Sequence, residues 1–384
     1  YQFLEMEECP EKFCFGYRNK LQFPLTKNLE TGKIYYGLFM NETHSIVKID
    51  ECKVCSKEAN YLLFEFIKIA NLMDLKIYDE KNFLNGFRYI SIRINTNKEA
   101  ILTIVGTYEY DENNNQIKKI KNLANKIYFT LDDEKIYAKY SNKIKIVGII
   151  YVQNSKKTNF IFGENFYTIV GKDEIIEKFC LSLSLCLDEN CDLEKSISYR
   201  ISSSSFFQIN TYIAEKLYQN IRQIIKSFNF EKKPKIVDLY CGSGGIGLFI
   251  ADLALKIIGI DVVAKSIENA KFAARDNFVY NADYFVGKIE DKNILEKILD
   301  EKPDIIILNP PRKGIDEKVI EQIHKIKPKI LIYVSCDPVS LARDLKRLFS
   351  KNKNIYKLKT VKPFDMFPQT SNVETLALIE KINF

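Results

Sequence analysis

From about residue 207 onward the chain alternates amphipathic helical stretches with short, nearly continuous apolar runs, and this alternation restricts the fold more than any other feature. The runs are KIVDLY (235–240), KIIGID (256–261), ADYFVG (282–287), DIIILN (304–309) and KILIYVS (329–335), with TYIAEKLYQNIRQIIKSF, AKSIENAKFAARDN and EKVIEQIHKI among the helical stretches. A strand that is apolar at every position, not every second one, is buried on both faces, as in parallel sheets covered by helices on each side. The expected fold class is α/β, with a doubly wound sheet over residues 201–384. Ligands of such sheets lie beyond the carboxyl ends of the strands, so the residues that end each run are the ones to inspect.

Residues 1–200 have a different texture. Segments such as IYYGLFM (34–40), RYISIRIN (88–95), AILTIVG (100–106) and KIKIVGIIYVQN (143–154) are β-branched or aromatic and are separated by polar, Asn-rich turns. One helix is expected among them, ANYLLFEFIKIANLMD (59–74), where apolar residues recur at helical spacing. DENNN (111–115) reads as a hairpin tip. The domain expected over 1–200 is therefore α+β with an antiparallel sheet.

Bulk properties remove several function classes. A chain of 384 residues with 46% hydrophobic and 28% charged residues has the apolar surface for two cores, and no run approaches the ~18 apolar residues of a membrane span. The sequence begins at Tyr1 without Met or a charged, apolar leader, so a processed chain or a fragment, and a cytoplasmic location, are expected. Nine cysteines spread over this length do not form a dense paired framework. His44 and His324 are the only histidines, too few for a Ser-His-Asp hydrolase or a His-rich metal site. Residues 1–200 carry 28 Lys+Arg against 28 Asp+Glu, whereas the remainder carries 29 against 22. The excess positive charge thus lies after residue 200, where it favours a polyanion.

Five places at strand termini carry chemistry. The first strand runs into Asp238-Leu-Tyr240-Cys-Gly242-Ser-Gly244-Gly-Ile-Gly247, whose glycines let the backbone turn and approach a ligand at the following helix. Asp261 ends the second strand, where a carboxylate can accept ribose hydroxyls. That spacing alone admits NAD as well as S-adenosylmethionine. Asn309-Pro310-Pro311 ends the fourth strand as a rigid ledge suited to a planar heterocycle, and Arg312 and Lys313 follow it as phosphate partners. Cys336 follows the fifth strand, and Glu374 stands where a polar loop becomes an apolar strand, a place for a general base.

Together these segments resemble the S-adenosylmethionine-dependent RNA uracil-C5 methyltransferases, which make 5-methyluridine. The resemblance covers nearly the whole chain: Tyr17-Arg18-Asn19-Lys20, GLFMNETHSIVKIDEC (37–52), Ser205-Phe206-Phe207-Gln208-Ile209-Asn210, the glycine loop, NPPRKG (309–314), SCDPVSLARDL (335–345) and DMFPQTSNVE (365–374). It implies a Rossmann-like class I methyltransferase domain over 201–384, preceded by an RNA-recognition domain. It further implies that Gln208, Tyr240, Gly242, Gly244, Asp261 and Asn309 bind S-adenosylmethionine, that Cys336 is the nucleophile and that Glu374 is the base. No metal is needed. The implied partner is RNA, 23S ribosomal RNA ahead of transfer RNA, with no membrane and a monomeric enzyme.

Where the family usually has Asp, this chain has Asn309, and the Pro expected before Phe206 is replaced within Ser202–Ser205. Family members also carry, before the point where this sequence starts, an oligonucleotide-binding barrel and in some cases a cysteine run for a four-iron cluster. Cys9, Cys14, Cys52 and Cys55 do not reproduce that run, and Cys180, Cys186 and Cys191 match no motif. Three other functions compete. An exocyclic-amine methyltransferase would place an aromatic ring where Arg312 stands. A non-catalytic RNA-binding assembly factor has no use for Cys336 and Glu374, and a nicotinamide oxidoreductase rests on the glycines alone.

Overall fold

A computed structural model describes residues 1–382 except 41–42, 44, 80–81, 83, 132–143, 157–159, 182–195 and 352–354. His44, Cys186 and Cys191 lie outside the described residues. The chain divides into two compact units, one of Tyr1–Cys14, Glu177–Ile201 and Ser205–Phe384, the other of Phe15–Ile176 with Ser202–Ser204.

The first unit opens with a short strand, β1 (Gln2–Phe3). The second unit is built on a seven-stranded sheet. Its strands are β2 (Lys20–Lys27), β3 (Ile34–Phe39), β4 (Ile46–Lys48), β5 (Phe87–Ile94), β6 (Glu99–Gly106), β7 (Lys145–Gln153) and β8 (Asn165–Gly171), in the order β4-β3-β2-β5-β6-β7-β8. Neighbours are antiparallel except β6 and β7, which run parallel. Among the described residues, two helices belong to this unit. In α1 (Lys57–Leu72) the Ser56 hydroxyl caps the N-terminus by accepting the Ala59 N–H at 3.1 Å, and Leu62, Leu63, Phe66 and Ile69 are buried. The second helix, α2 (Asn115–Leu131), corrects the expectation of a hairpin tip and a single helix. Asp111–Asn114 forms a turn instead, with the Asn114 side chain accepting the Gln116 N–H at 2.9 Å. Ile117, Ile120, Leu123, Ala124 and Ile127 bury one face of α2, and the helix is the crossover that parallel strands require.

The first unit continues with β9 (Ile175–Cys180, shared at its start with the second unit) and β10 (Ser196–Ile201), which pair with each other. Next come α3 (Thr211–Ser227), β11 (Lys235–Leu239), the one-turn α4 (Gly245–Phe249), β12 (Lys256–Asp261), α5 (Ala264–Asp276), β13 (Ala282–Val286), α6 (Lys292–Glu301) and β14 (Ile305–Leu308). The chain ends with α7 (Glu317–Ile326), β15 (Ile330–Ser335), α8 (Pro338–Lys351), β16 (Tyr356–Phe364) and β17 (Glu374–Lys381).

The sheet order is β1-β16-β17-β15-β14-β11-β12-β13. Strands β11 to β15 are parallel to their neighbours within that group, whereas β17 is antiparallel to both β15 and β16. The α/β class read from the apolar runs is therefore present. On one face Val237, Leu239, Ile258, Ile260, Ile306, Leu308, Leu331 and Tyr333 form a core with Ile298, Val319, Ile320, Ile323, Leu341 and Leu345. The alternate residues Ile236, Ile257, Ile305, Ile307, Ile330 and Ile332 are buried too, which is why the runs show no polar alternation. Because β11 lies between β12 and β14, the connections after β11 and after β14 leave in opposite directions and open a crevice at their carboxyl ends. No helix among the described residues is long and apolar enough to cross a membrane.

Candidate active site

The crevice is shaped first by backbone conformation. Tyr240, just past β11, has φ +61, an uncommon angle for an aromatic residue, and the neighbouring Cys241 N–H bonds the Ile260 carbonyl at 3.1 Å. Gly242 follows at φ +55, and its N–H donates to Asp261 Oδ2 at 3.0 Å. Gly244 has φ +81, and a Cβ there would stand 2.9 Å from the Tyr284 hydroxyl oxygen, so only glycine fits this turn. Below the loop, the fully buried Asp238 accepts the Gly247 N–H at 3.1 Å through Oδ2, while Oδ1 has no partner among the described residues. Burial pushes the Asp238 carboxyl up to about 7, against the pull of that N–H.

A cavity of about 740 Å³ occupies the crevice. Of the residues expected there, Gln208, Tyr240, Gly242, Asp261, Asn309, Cys336 and Glu374 line it. Gly244 is not among the lining residues; it sits at the N-terminus of α4 against Tyr284 and Ala270. Both Asp261 oxygens already accept a backbone N–H, Oδ2 from Gly242 and Oδ1 from Val263 at 2.8 Å. Each retains a free lone pair. Asn309 is half-buried, its N–H reaches the Leu239 carbonyl at 3.3 Å, and its side-chain amide has no hydrogen-bond partner among the described residues.

Cys336 and Glu374 reach the cavity from adjacent strands. The ladder between β15 and β17 ends at the pair Ser335–Thr375, and each of these two residues stands one position beyond it. Cys336 is partly exposed and Glu374 is 2% exposed. Burial pushes the Glu374 carboxyl up to about 8. Burial also raises the Cys336 thiol, Glu374 adds to that, and the Arg312 guanidinium opposes both. Arg312 also lines the cavity, and its Nη2 donates to Asn372 Oδ1 at 3.2 Å.

Sequence reasoning assigned no individual role to Phe206, Val262, Ile289 or Phe367, which supply apolar wall to the same cavity. Phe206 is 60% exposed despite its size, and its neighbour Phe207 is buried. The pair Phe206-Phe207 carries no signal that separates the two. Among the described residues, no group of three or more His, Cys, Asp or Glu is arranged to hold a metal ion.

Residues 177–382 match the family model described as tRNA (Uracil-5-)-methyltransferase. An uncharacterized RNA methyltransferase from Fusobacterium nucleatum is 33% identical over 370 residues, covering 96% of this chain and 70% of that protein. Another from Clostridium tetani is 31% identical over 367 residues, covering 95% of this chain and 71% of its own length. The crystal structure of the Pyrococcus abyssi tRNA (uracil-54, C5)-methyltransferase in complex with S-adenosyl-L-homocysteine superposes with a TM-score of 0.66. It is 25% identical, and the match covers 98% of this chain and 78% of that one.

Proposed function

Since the chain belongs to the tRNA (uracil-5-)-methyltransferase family of RNA methyltransferases, we propose that it methylates C5 of one uridine in RNA through a covalent bond between Cys336 and C6 of the base. The observation that carries this reading is the placement of Cys336 and Glu374 side by side at one cavity, a nucleophile and a base within reach of one substrate ring.

The cavity residues fit S-adenosylmethionine, the methyl donor of this family. Asp261 keeps a lone pair on each oxygen for the ribose hydroxyls, and Gly242 brings bare backbone to the cavity wall. Val262 and Ile289 offer apolar surface for a purine ring, and Gln208 and Tyr240 complete the set. The bound cofactor supplies an electrophilic methyl group on a sulfonium.

Uracil C5 is a poor nucleophile, and the residues of this chain remedy that. The Cys336 thiol gives its proton to solvent and the thiolate adds to C6, which moves electron density through C5 to O4 as an enolate. Once C5 carries the methyl group, the Glu374 carboxylate takes the C5 proton. The C5–H electron pair then forms the C5–C6 double bond as the C6–S bond breaks, and Cys336 leaves as a thiolate. A base inside a helix or stack is not open to this chemistry, so the uridine must be turned out into the cavity. We assign selection of the RNA to the unit Phe15–Ile176.

Ribosomal RNA is the proposed substrate class, on the resemblance of Tyr17–Lys20 and residues 37–52 to ribosomal members. Transfer RNA is the second reading, favoured by the Pyrococcus abyssi structure. Cys336→Ala should abolish both turnover and adduct. Glu374→Gln should stall after methyl transfer and accumulate a methylated protein–RNA conjugate stable to denaturing electrophoresis. Methylation by Cys336→Ala together with no conjugate from Glu374→Gln would overturn the mechanism, and mapping 5-methyluridine in cells with and without the protein decides the RNA class.

A further inference from the structure

Helix α8 begins two residues after Cys336, and three of its residues face the loop that follows β14. Ser340, Arg343 and Asp344 are spaced i, i+3 and i+4, which places them on one helix face. The Ser340 hydroxyl lies 2.7 Å from the Arg312 carbonyl and 2.5 Å from Asp337 Oδ2, so its one proton is shared between the loop and the residue after Cys336. The Arg343 guanidinium donates to the Lys313 carbonyl. Asp344, 1% exposed, accepts the Ile315 N–H at 2.8 Å and the Tyr333 hydroxyl of β15 at 2.8 Å. Between them Gly314, at φ +74, lets the loop pass the carboxylate; a Cβ there would lie 2.2 Å from Asp344 Oδ2.

The loop backbone from Arg312 to Ile315 is thus tied at three points to the helix that follows Cys336. Charged groups bear on the Cys336 thiol from three sides. Glu374 on β17 and Asp337 on its own segment disfavour the thiolate, and Arg312 on the clamped loop favours it. Arg312 is exposed, and a long side chain on an untethered loop would spread over many rotamers.

We propose that Ser340, acting with Arg343 and Asp344, is a positioning residue that holds the Arg312 guanidinium at the cavity wall beside Cys336, where it pairs with the attacking thiolate. This proposal rests on the reading of Cys336 as nucleophile. Ser340 touches neither base nor cofactor; it acts through Arg312, whose carbonyl it binds. The clamp gives the nucleophile a cation whose place does not depend on bound RNA.

The test needs neither RNA nor cofactor. The full chain is alkylated with iodoacetamide across a pH series, and modification of the peptide carrying Cys336 is followed by mass spectrometry. Ser340→Ala should move the alkylation midpoint upward by about 0.5–1 pH unit, which is ~3–10-fold slower alkylation at neutral pH. Ser340→Thr, which keeps the hydroxyl, should restore the wild-type profile. Arg312→Met should shift the midpoint at least as far, and adding Ser340→Ala to it should shift it no further, because the two act through one interaction. An unmoved midpoint in folded Ser340→Ala, or full additivity with Arg312→Met, would overturn the clamp. Should Ser340→Ala not fold, Arg343→Met removes the tie to Lys313 from an exposed side chain and must move the midpoint in the same direction for the clamp to stand. Methylation by Cys336→Ala would sink the nucleophile reading while leaving the alkylation result intact, so the two failures are distinguishable.

Discussion

Cys336 and Glu374 each stand one residue beyond Ser335–Thr375, the last pair of the antiparallel ladder between β15 and β17. Residues opposite each other on antiparallel strands point to the same face, so a thiol and a carboxyl meet at one wall of the cavity. Nothing near Glu374 compensates its burial: among the described residues its carboxyl has no hydrogen-bond or ion-pair partner. Burial favours the protonated form of such a carboxyl, and once ionised it is a stronger base than an ordinary one.

That burial has a stability signature. The Glu374 carboxyl is raised from the ordinary 4.5 to about 8. Its protonated form is therefore favoured by the fold; the full benefit is present below about pH 4.5 and is lost as pH rises through about 8. Glu374→Gln should remove this dependence, and its melting temperature should overtake that of the wild type as pH rises from 6 to 9. The gain at alkaline pH should be on the order of 3–5 kcal/mol. Parallel melting curves at every pH would contradict a buried, unpaired carboxyl.

Activity should move the opposite way. A general base must be ionised and a nucleophilic thiol must lose its proton, and both groups are raised by burial. The kcat/KM of the wild type should therefore climb with pH through neutrality and level off only above about 8. Because the two groups face each other, the midpoints belong to the pair. A profile already flat at pH 6 would argue that Glu374 is not the base.

Asp261 should control cofactor affinity. Asp261→Asn keeps the shape but puts an amide where two backbone N–H groups and a pair of hydroxyls need acceptors. Loss of one charge-assisted contact and disturbance of the Gly242 turn should weaken S-adenosylhomocysteine binding by ~10–100-fold in calorimetry, about 1.4–2.7 kcal/mol. Saturable NAD binding in place of S-adenosylhomocysteine would reject the cofactor assignment.

Gly244→Ala should damage the same loop by a different route. The new methyl would have to displace the Tyr284 hydroxyl at 2.9 Å and lie 3.2 Å from the Ala270 Cβ, on a backbone at φ +81. A loss of about 1–3 kcal/mol in chemical unfolding is expected, with weakened cofactor binding alongside it. An alanine variant of unchanged stability would show that the turn relaxes freely.

Asn309 tests whether an amide suffices where the family resemblance implies a carboxylate. Its side chain lines the cavity and has no partner among the described residues, so Asn309→Asp should fold normally and change turnover only modestly. A gain of ~100-fold, about 2.7 kcal/mol of barrier, would show that the native Asn is the weaker form.

The β-α alternation after residue 207 was legible because burial on both faces leaves runs such as Ile305–Leu308 with no polar position, a pattern local to each strand. Gly242, Asp261, Cys336 and Glu374 were singled out by residue type, and the structure brings them to one cavity. Helix α2 was not, because the Asn-rich turn before it and its lysines drew attention from Ile117, Ile120, Leu123 and Ile127, which recur at helical spacing and are buried. The antiparallel placement of β17 between β15 and β16 is a long-range pairing, and it brings Glu374 beside Cys336. The same holds for the clamp on Arg312, whose members meet only when α8 packs beside the loop after β14. Residue type and periodicity are properties of neighbours along the chain, whereas register, burial and the pKa values that follow from burial depend on partners remote in sequence, and those the tertiary structure decides.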